Sequence, residues 1–131
     1  ESFNMDKERY DAGMKVRREV LGDEYVDRSV AATDDVTRPL QDLVNEYGWG
    51  ATWARDVLDR RTRSLINIGM LTALNRPHEL SVHLKGALNN GCTREEIAEV
   101  ALHTAIYCGI PAALDTMRNV KKAFDDADAE S

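Results

Sequence analysis

The stretch Arg76-Pro77-His78-Glu79-Leu80-Ser81-Val82-His83-Leu84 opens a helix, since proline in a first turn is pre-set for helical φ and needs no amide donor. The helix ends at Asn89-Asn90-Gly91, where glycine is the usual left-handed stop. At about 100° per residue, Leu80, Leu84, Ala87 and Leu88 share one face. Glu79 and His83 lie one turn apart along the border of that face. At this (i, i+4) spacing a carboxylate and an imidazole can touch. Two readings fit them: a helix-border ion pair, or an acid–base pair whose partial burial tunes both groups.

The sequence on either side is helical too. No window alternates apolar and polar residues as a strand would. Upstream, Met5 to Leu21 reads as a first helix with Tyr10, Met14, Arg17 and Leu21 on one stripe, ended by Gly22. A short helix over Asp23 to Ala32 fits the polar segment after it. Pro39 opens a helix carrying Leu40, Leu43, Val44 and Tyr47, and Gly48-Trp49-Gly50 reads as its break. Trp49 either walls a pocket or plugs the core. Asp59 is an N-cap for a run, Leu65 to Leu74, that is apolar almost all round and so predicts a central helix buried on most sides. Arg60, Arg61 and Arg63 crowd its first turn, where cations oppose the helix dipole. Such a broken rule is expected at functional sites. They either pair with Asp56, Asp59 or a neighbouring subunit, or hold an anionic ligand.

Downstream, Thr93-x-x-Glu96 is a capping box. Ile97, Val100, Ala101, Thr104, Tyr107 and Cys108 form the stripe predicted to be buried behind it, with His103 as a core or interface residue. Gly109 and Pro111 separate this helix from a last one bearing Leu114, Met117, Val120 and Phe124. Asp125-Asp126-Ala127-Asp128 reads as a solvated, fraying end. The expectation is an all-α single domain over residues 1–131, with about six helices and an ordered core over about 5–124.

Composition narrows the function. The chain has 131 residues, 43% of them hydrophobic and 31% charged, as in an ordinary folded domain. The net charge of −6 argues against nucleic acid. No apolar run reaches membrane-spanning length, and no secretory leader is evident. Cys92 and Cys108 form no CxxC, so neither a zinc site nor a vicinal redox pair is encoded, and free thiols fit a cytoplasmic location. There is no phosphate loop, nucleophile elbow or metal-ligand cluster.

Several segments resemble the carboxymuconolactone decarboxylase family: Met14 to Gly22 (MKVRREVLG), Tyr47-Gly48-Trp49-Gly50, Leu58 to Leu65 (LDRRTRSL), His78-Glu79-Leu80 with His83, Ala87 to Gly91 (ALNNG), Thr93 to Ile97, and Ala105 to Ala113. The likeness runs from about Met5 to Val120, and LDRRTRSL with ALNNG marks the genuine decarboxylase branch. The resemblance implies the helical fold of alkylhydroperoxidase-D proteins, assembled as trimers or hexamers. It also implies that γ-carboxymuconolactone loses CO2 to give β-ketoadipate enol-lactone, a step of protocatechuate breakdown, with no metal or other cofactor. In the peroxidase branch a CxxC precedes the histidine; counted back from His83, its cysteines fall on Arg76 and Glu79, so that redox chemistry is not available here.

That chemistry assigns the candidate residues. Electrons left by CO2 flow through the C=C bond to the lactone carbonyl, and the site must stabilise that oxyanion and then protonate carbon. His83 is the expected proton donor, with Glu79 holding its tautomer and raising its pKa. Arg63 and Arg60 are expected to bind the substrate's two carboxylates, and Trp49 to lie against the departing one. Arg76 and His78 complete the substrate-binding candidates. Competing expectations are a lyase or isomerase for another lactone or β-keto-type acid, and a non-catalytic helical oligomer.

Overall fold

Asp6 opens the first helix by accepting a hydrogen bond from the Arg9 amide at 3.1 Å. The computed structural model describes residues 6–131, so Met5 lies outside the described residues. Among these there is no strand. The helices are α1 (Lys7–Leu21), α2 (Asp23–Ala32), α3 (Arg38–Leu43), a π-helix (Val44–Trp53), α4 (Arg60–Ala73), α5 (Pro77–Asn89), α6 (Arg94–Tyr107) and α7 (Ile110–Glu130). Gly22, Gly91 and Gly109 take positive φ at the three helix ends where the sequence places stops. The chain forms two compact units, Glu1–Leu58 and Asp59–Ser131. No described helix is long and apolar enough to cross a membrane.

In the first unit, α1 packs on the π-helix. Gly48-Trp49-Gly50 does not break the helix; it lies inside the wider π turn, where the Ala54 amide donates to the Trp49 carbonyl five residues back. Glycine serves close approach here. A Cβ on Gly13 would stand 2.0 Å from the Asn45 carbonyl oxygen, and one on Gly50 would stand 2.2 Å from that of Arg9. Trp49 and Trp53 are buried with ring centroids 4.8 Å apart. Glu46 is buried too, its Oε2 accepting from the Asp6 amide at 3.3 Å and from Arg9 Nη1 at 3.1 Å.

The second unit is a four-helix bundle in which α4 packs on α5 and α6, and α7 packs on α5 and α6. Its core is Ile68, Leu80, Leu84, Ala87, Cys92, Ile97, Ala101 and Val120. The buried Thr72 and Thr116 hydroxyls meet at 2.8 Å. Three expectations need correction. Helix α4 buries Ser64, Ile68 and Thr72, whereas Ile66, Met70 and Leu74 are exposed, because a bundle helix meets its neighbours on one side only. Tyr107, expected in the buried stripe of α6, is 79% exposed, and His103 is exposed beside it with its ring 5.0 Å away. The acidic tail is solvated as expected, Asp125, Asp126 and Asp128 being exposed, but it does not fray: it is the last part of α7, held where Arg94 pairs with Asp128 at 2.5 Å and lies over the Phe124 ring.

Candidate active site

The first turn of α4 sorts its arginines. Asp59 caps the helix by accepting from the Thr62 amide at 2.8 Å, and that bond holds its carboxyl below the usual range. Arg61 turns to α6 and pairs with Glu96. Glu96 also closes the capping box, accepting from the Thr93 amide at 2.9 Å. Arg61, bonded to its side chain, holds the Glu96 carboxyl below its ordinary range. The Arg61 carbonyl accepts from the Cys92 thiol at 3.5 Å. Arg61 thus ties α4 to α6, and Arg60 and Arg63 beside it are partly buried.

Asn90 sets the register of α5 against this turn. Its Nδ2 donates to the buried Ser64 hydroxyl at 2.9 Å and reaches the Arg60 carbonyl at 3.4 Å. On a wheel of about 100° per residue, Glu79, His83 and Asn90 lie within about 40° of one another. Of the two candidates on this flank, His83 is partly buried and Glu79 is exposed. At about 1.5 Å per residue, antiparallel pairing through these two bonds sets Arg63 about 6 to 12 Å along the axis from His83.

His83 is partly buried, and burial pulls its pKa below the ordinary 6.5; Glu79 pulls the other way and is outweighed. Glu79 thus raises the pKa as expected, but burial is the larger effect and favours the neutral imidazole. Arg76 and His78 are exposed at the far end of α5, Arg76 being about 20 Å along the axis from Asn90. Arg76 donates to the Asn75 carbonyl at 3.3 Å and lines a separate cleft of about 380 Å³ with Asn75, Cys108, Asp115 and Asn119. Trp49 is a core side chain of the first unit, 5% exposed.

Sequence reasoning read Asn90 as part of a helix stop and of the ALNNG motif, and missed its bond to α4. Its place on the Glu79–His83 flank was the signal available. It also missed that Glu96 serves both the cap and Arg61, because a contact between residues 35 apart leaves no local pattern.

The all-helical fold agrees with the class that the comparisons show. The chain belongs to the carboxymuconolactone decarboxylase family, whose model matches residues 38–122. It is 43% identical over 117 residues to the nitrosuccinic acid decarboxylase of Metarhizium robertsii, covering 89% of this chain and 82% of that one. It is 40% identical over 121 residues to the 4-carboxymuconolactone decarboxylase of Acinetobacter baylyi, covering 92% and 90%. A 4-carboxymuconolactone decarboxylase of Pseudomonas putida is 44% identical over 45 residues, 34% of this chain and 94% of that one.

Proposed function

We propose that this protein is a cofactor-independent carboxy-lyase that releases CO2 from γ-carboxymuconolactone to give β-ketoadipate enol-lactone. The observation that carries the reading is His83, partly buried on α5 with Glu79 one turn away raising its pKa. Family membership and the Acinetobacter relative support it.

In this reading Arg63 and Arg60 hold the substrate's two carboxylates, and guanidinium forks match that geometry. The departing carboxylate leaves as CO2. Its bonding pair passes through the C=C bond to the lactone carbonyl and forms a furan-like dienolate. His83 then transfers a proton to the carbon next to that carbonyl. A neutral imidazole has no proton to spare beyond its single N–H, so the substrate must change it. Two incoming carboxylates favour the imidazolium on Coulomb grounds, and Glu79 adds to them. The acid is thus made when substrate binds.

A second reading has its own support in the nitrosuccinic acid decarboxylase relative. Nitrosuccinic acid is also a dicarboxylic acid, and loss of CO2 from its nitro-bearing carbon leaves a nitronate, again an oxyanion protonated at carbon. The same residues serve both substrates. We further infer a homo-oligomer, because Ile66, Met70, Leu102, Ile106, Ile110 and Leu114 are all exposed on one four-helix unit; a trimer or hexamer is what the family resemblance implies. The free thiols Cys92 and Cys108 fit a reducing compartment such as the cytoplasm.

The test is CO2 release from each compound after exhaustive chelation. Turnover of γ-carboxymuconolactone at the higher kcat/KM supports the first reading, and turnover of nitrosuccinic acid alone replaces it with the second. Loss of activity on chelation, restored by one metal, overturns the cofactor-free mechanism.

A further inference from the structure

Arg17 is a buried cation whose hydrogen-bond acceptors are all neutral. It is 5% exposed. Its Nη1 donates to Asn45 Oδ1 at 3.0 Å and Gln41 Oε1 at 3.3 Å, and its Nη2 donates to Ser29 Oγ at 3.2 Å. Its Nε is buried without a hydrogen-bond partner among the described residues. Burial pulls its pKa down, while the Tyr25 and Tyr10 phenols beside it pull the other way. The other buried charge of this unit is treated differently: Glu46 has Arg9 at 3.1 Å. A buried charge is stable when a counter-charge accompanies it, and Arg17 lacks one among these contacts.

A cavity of about 150 Å³ lies directly behind Arg17's partners, lined by Tyr10, Thr33, Arg38, Gln41, Asp42 and Asn45 among others. Gln41 and Asn45 turn their carbonyl oxygens to the guanidinium, so their NH2 groups face away from it. That of Asn45 reaches the Tyr10 hydroxyl at 3.4 Å; that of Gln41 remains as a donor. Arg38 adds a second cation at the rim, shared with Asp35 at 2.7 Å. The walls therefore offer amide, hydroxyl and guanidinium donors, each backed by positive charge.

We propose that this cavity binds a small monovalent anion, of chloride or nitrate size, which neutralises Arg17 through the Gln41 and Asn45 amides. The volume decides the size: at about 30 Å³ per water, it holds such an ion with a few waters. Asp42 decides the charge, because a carboxylate in the wall disfavours a dianion. The bound ion joins α1 to α3 and the π-helix, so the stability of this unit depends on it. The proposal is independent of the reaction the enzyme catalyses.

The test is thermal unfolding of the full chain at fixed ionic strength, with sodium gluconate replaced stepwise by sodium nitrate. Wild type is expected to gain several degrees in Tm and then saturate, as a ligand bound only by the folded state requires. Gln41→Glu sets a carboxylate against Arg17 Nη1. It is expected to raise Tm in gluconate and abolish the nitrate response. A wild type indifferent to nitrate, or a Gln41→Glu protein that responds like wild type, overturns the proposal. If Gln41→Glu does not fold, Asp42→Asn decides: the response should saturate at several-fold lower nitrate, and an unchanged or weaker response overturns the proposal.

Discussion

Gly48 and Gly50 flank Trp49 in one Gly-Trp-Gly motif, and substitution by alanine should separate them. A Cβ on Gly50 would lie 2.2 Å from the Arg9 carbonyl oxygen and 3.0 Å from the Arg9 carbonyl carbon. An ordinary carbon–oxygen contact is roughly 3.3 Å, so α1 and the π-helix must part by about 1 Å. The obstacle is backbone, which no rotamer change can relieve. Overpacking costs about 1–3 kcal/mol, and this case belongs at the upper end. Alanine in place of helical glycine returns about 0.5–1 kcal/mol. The net loss for Gly50→Ala is then about 2 kcal/mol, or roughly 6–12 °C in Tm for a chain of this size. A Cβ on Gly48 would meet nothing within 4 Å, so Gly48→Ala should leave Tm unchanged or slightly raised. Thermal unfolding followed by circular dichroism measures both. Equal shifts in the two variants would refute the reasoning and return the motif to a simple helix break.

His83→Gln should lower turnover by about 10²–10⁴-fold, the usual contribution of a general acid, with Glu79→Gln milder; steady-state kinetics on γ-carboxymuconolactone checks both. Burial lowers the folded pKa of His83, so the unfolded chain takes up this proton first as pH falls. Stability should therefore decline as pH drops below about 6.5, and His83→Gln should flatten that part of a denaturation-versus-pH curve. Arg63→Ala should weaken use of the dicarboxylate roughly ten- to a hundredfold without a large loss of Tm, whereas unchanged kcat and KM would move anion recognition to Arg60. Sedimentation at micromolar concentration should show an oligomer; a single 14.7 kDa species would contradict the interface reading.

Local signals carried most of the helix boundaries. Asp59, Pro77, Thr93 with Glu96, Gly22, Gly91 and Gly109 act through bonds within three or four residues, and each stands where its chemistry predicts. The failures share one cause. Gly50, the outer face of α4 and Tyr107 depend on what other helices do, and periodicity records only that a residue is apolar or small. Of the site, the Glu79–His83 pair was legible as an (i, i+4) spacing. That Arg61 pairs across to α6 was not, because it turns on Glu96, thirty-five residues downstream. Burial and Glu79 were both expected to act on His83, but which of them is larger depends on the packing around it.

The most direct test of the account is the fate of the new C–H bond. Turnover of γ-carboxymuconolactone in D2O should place one deuterium on a single face of the carbon next to the lactone carbonyl. His83→Gln should form the same product slowly and with that facial preference lost, as solvent protonates the dienolate. Near-normal turnover by His83→Gln with the same single-face label would make His83 a structural residue and contradict the mechanism.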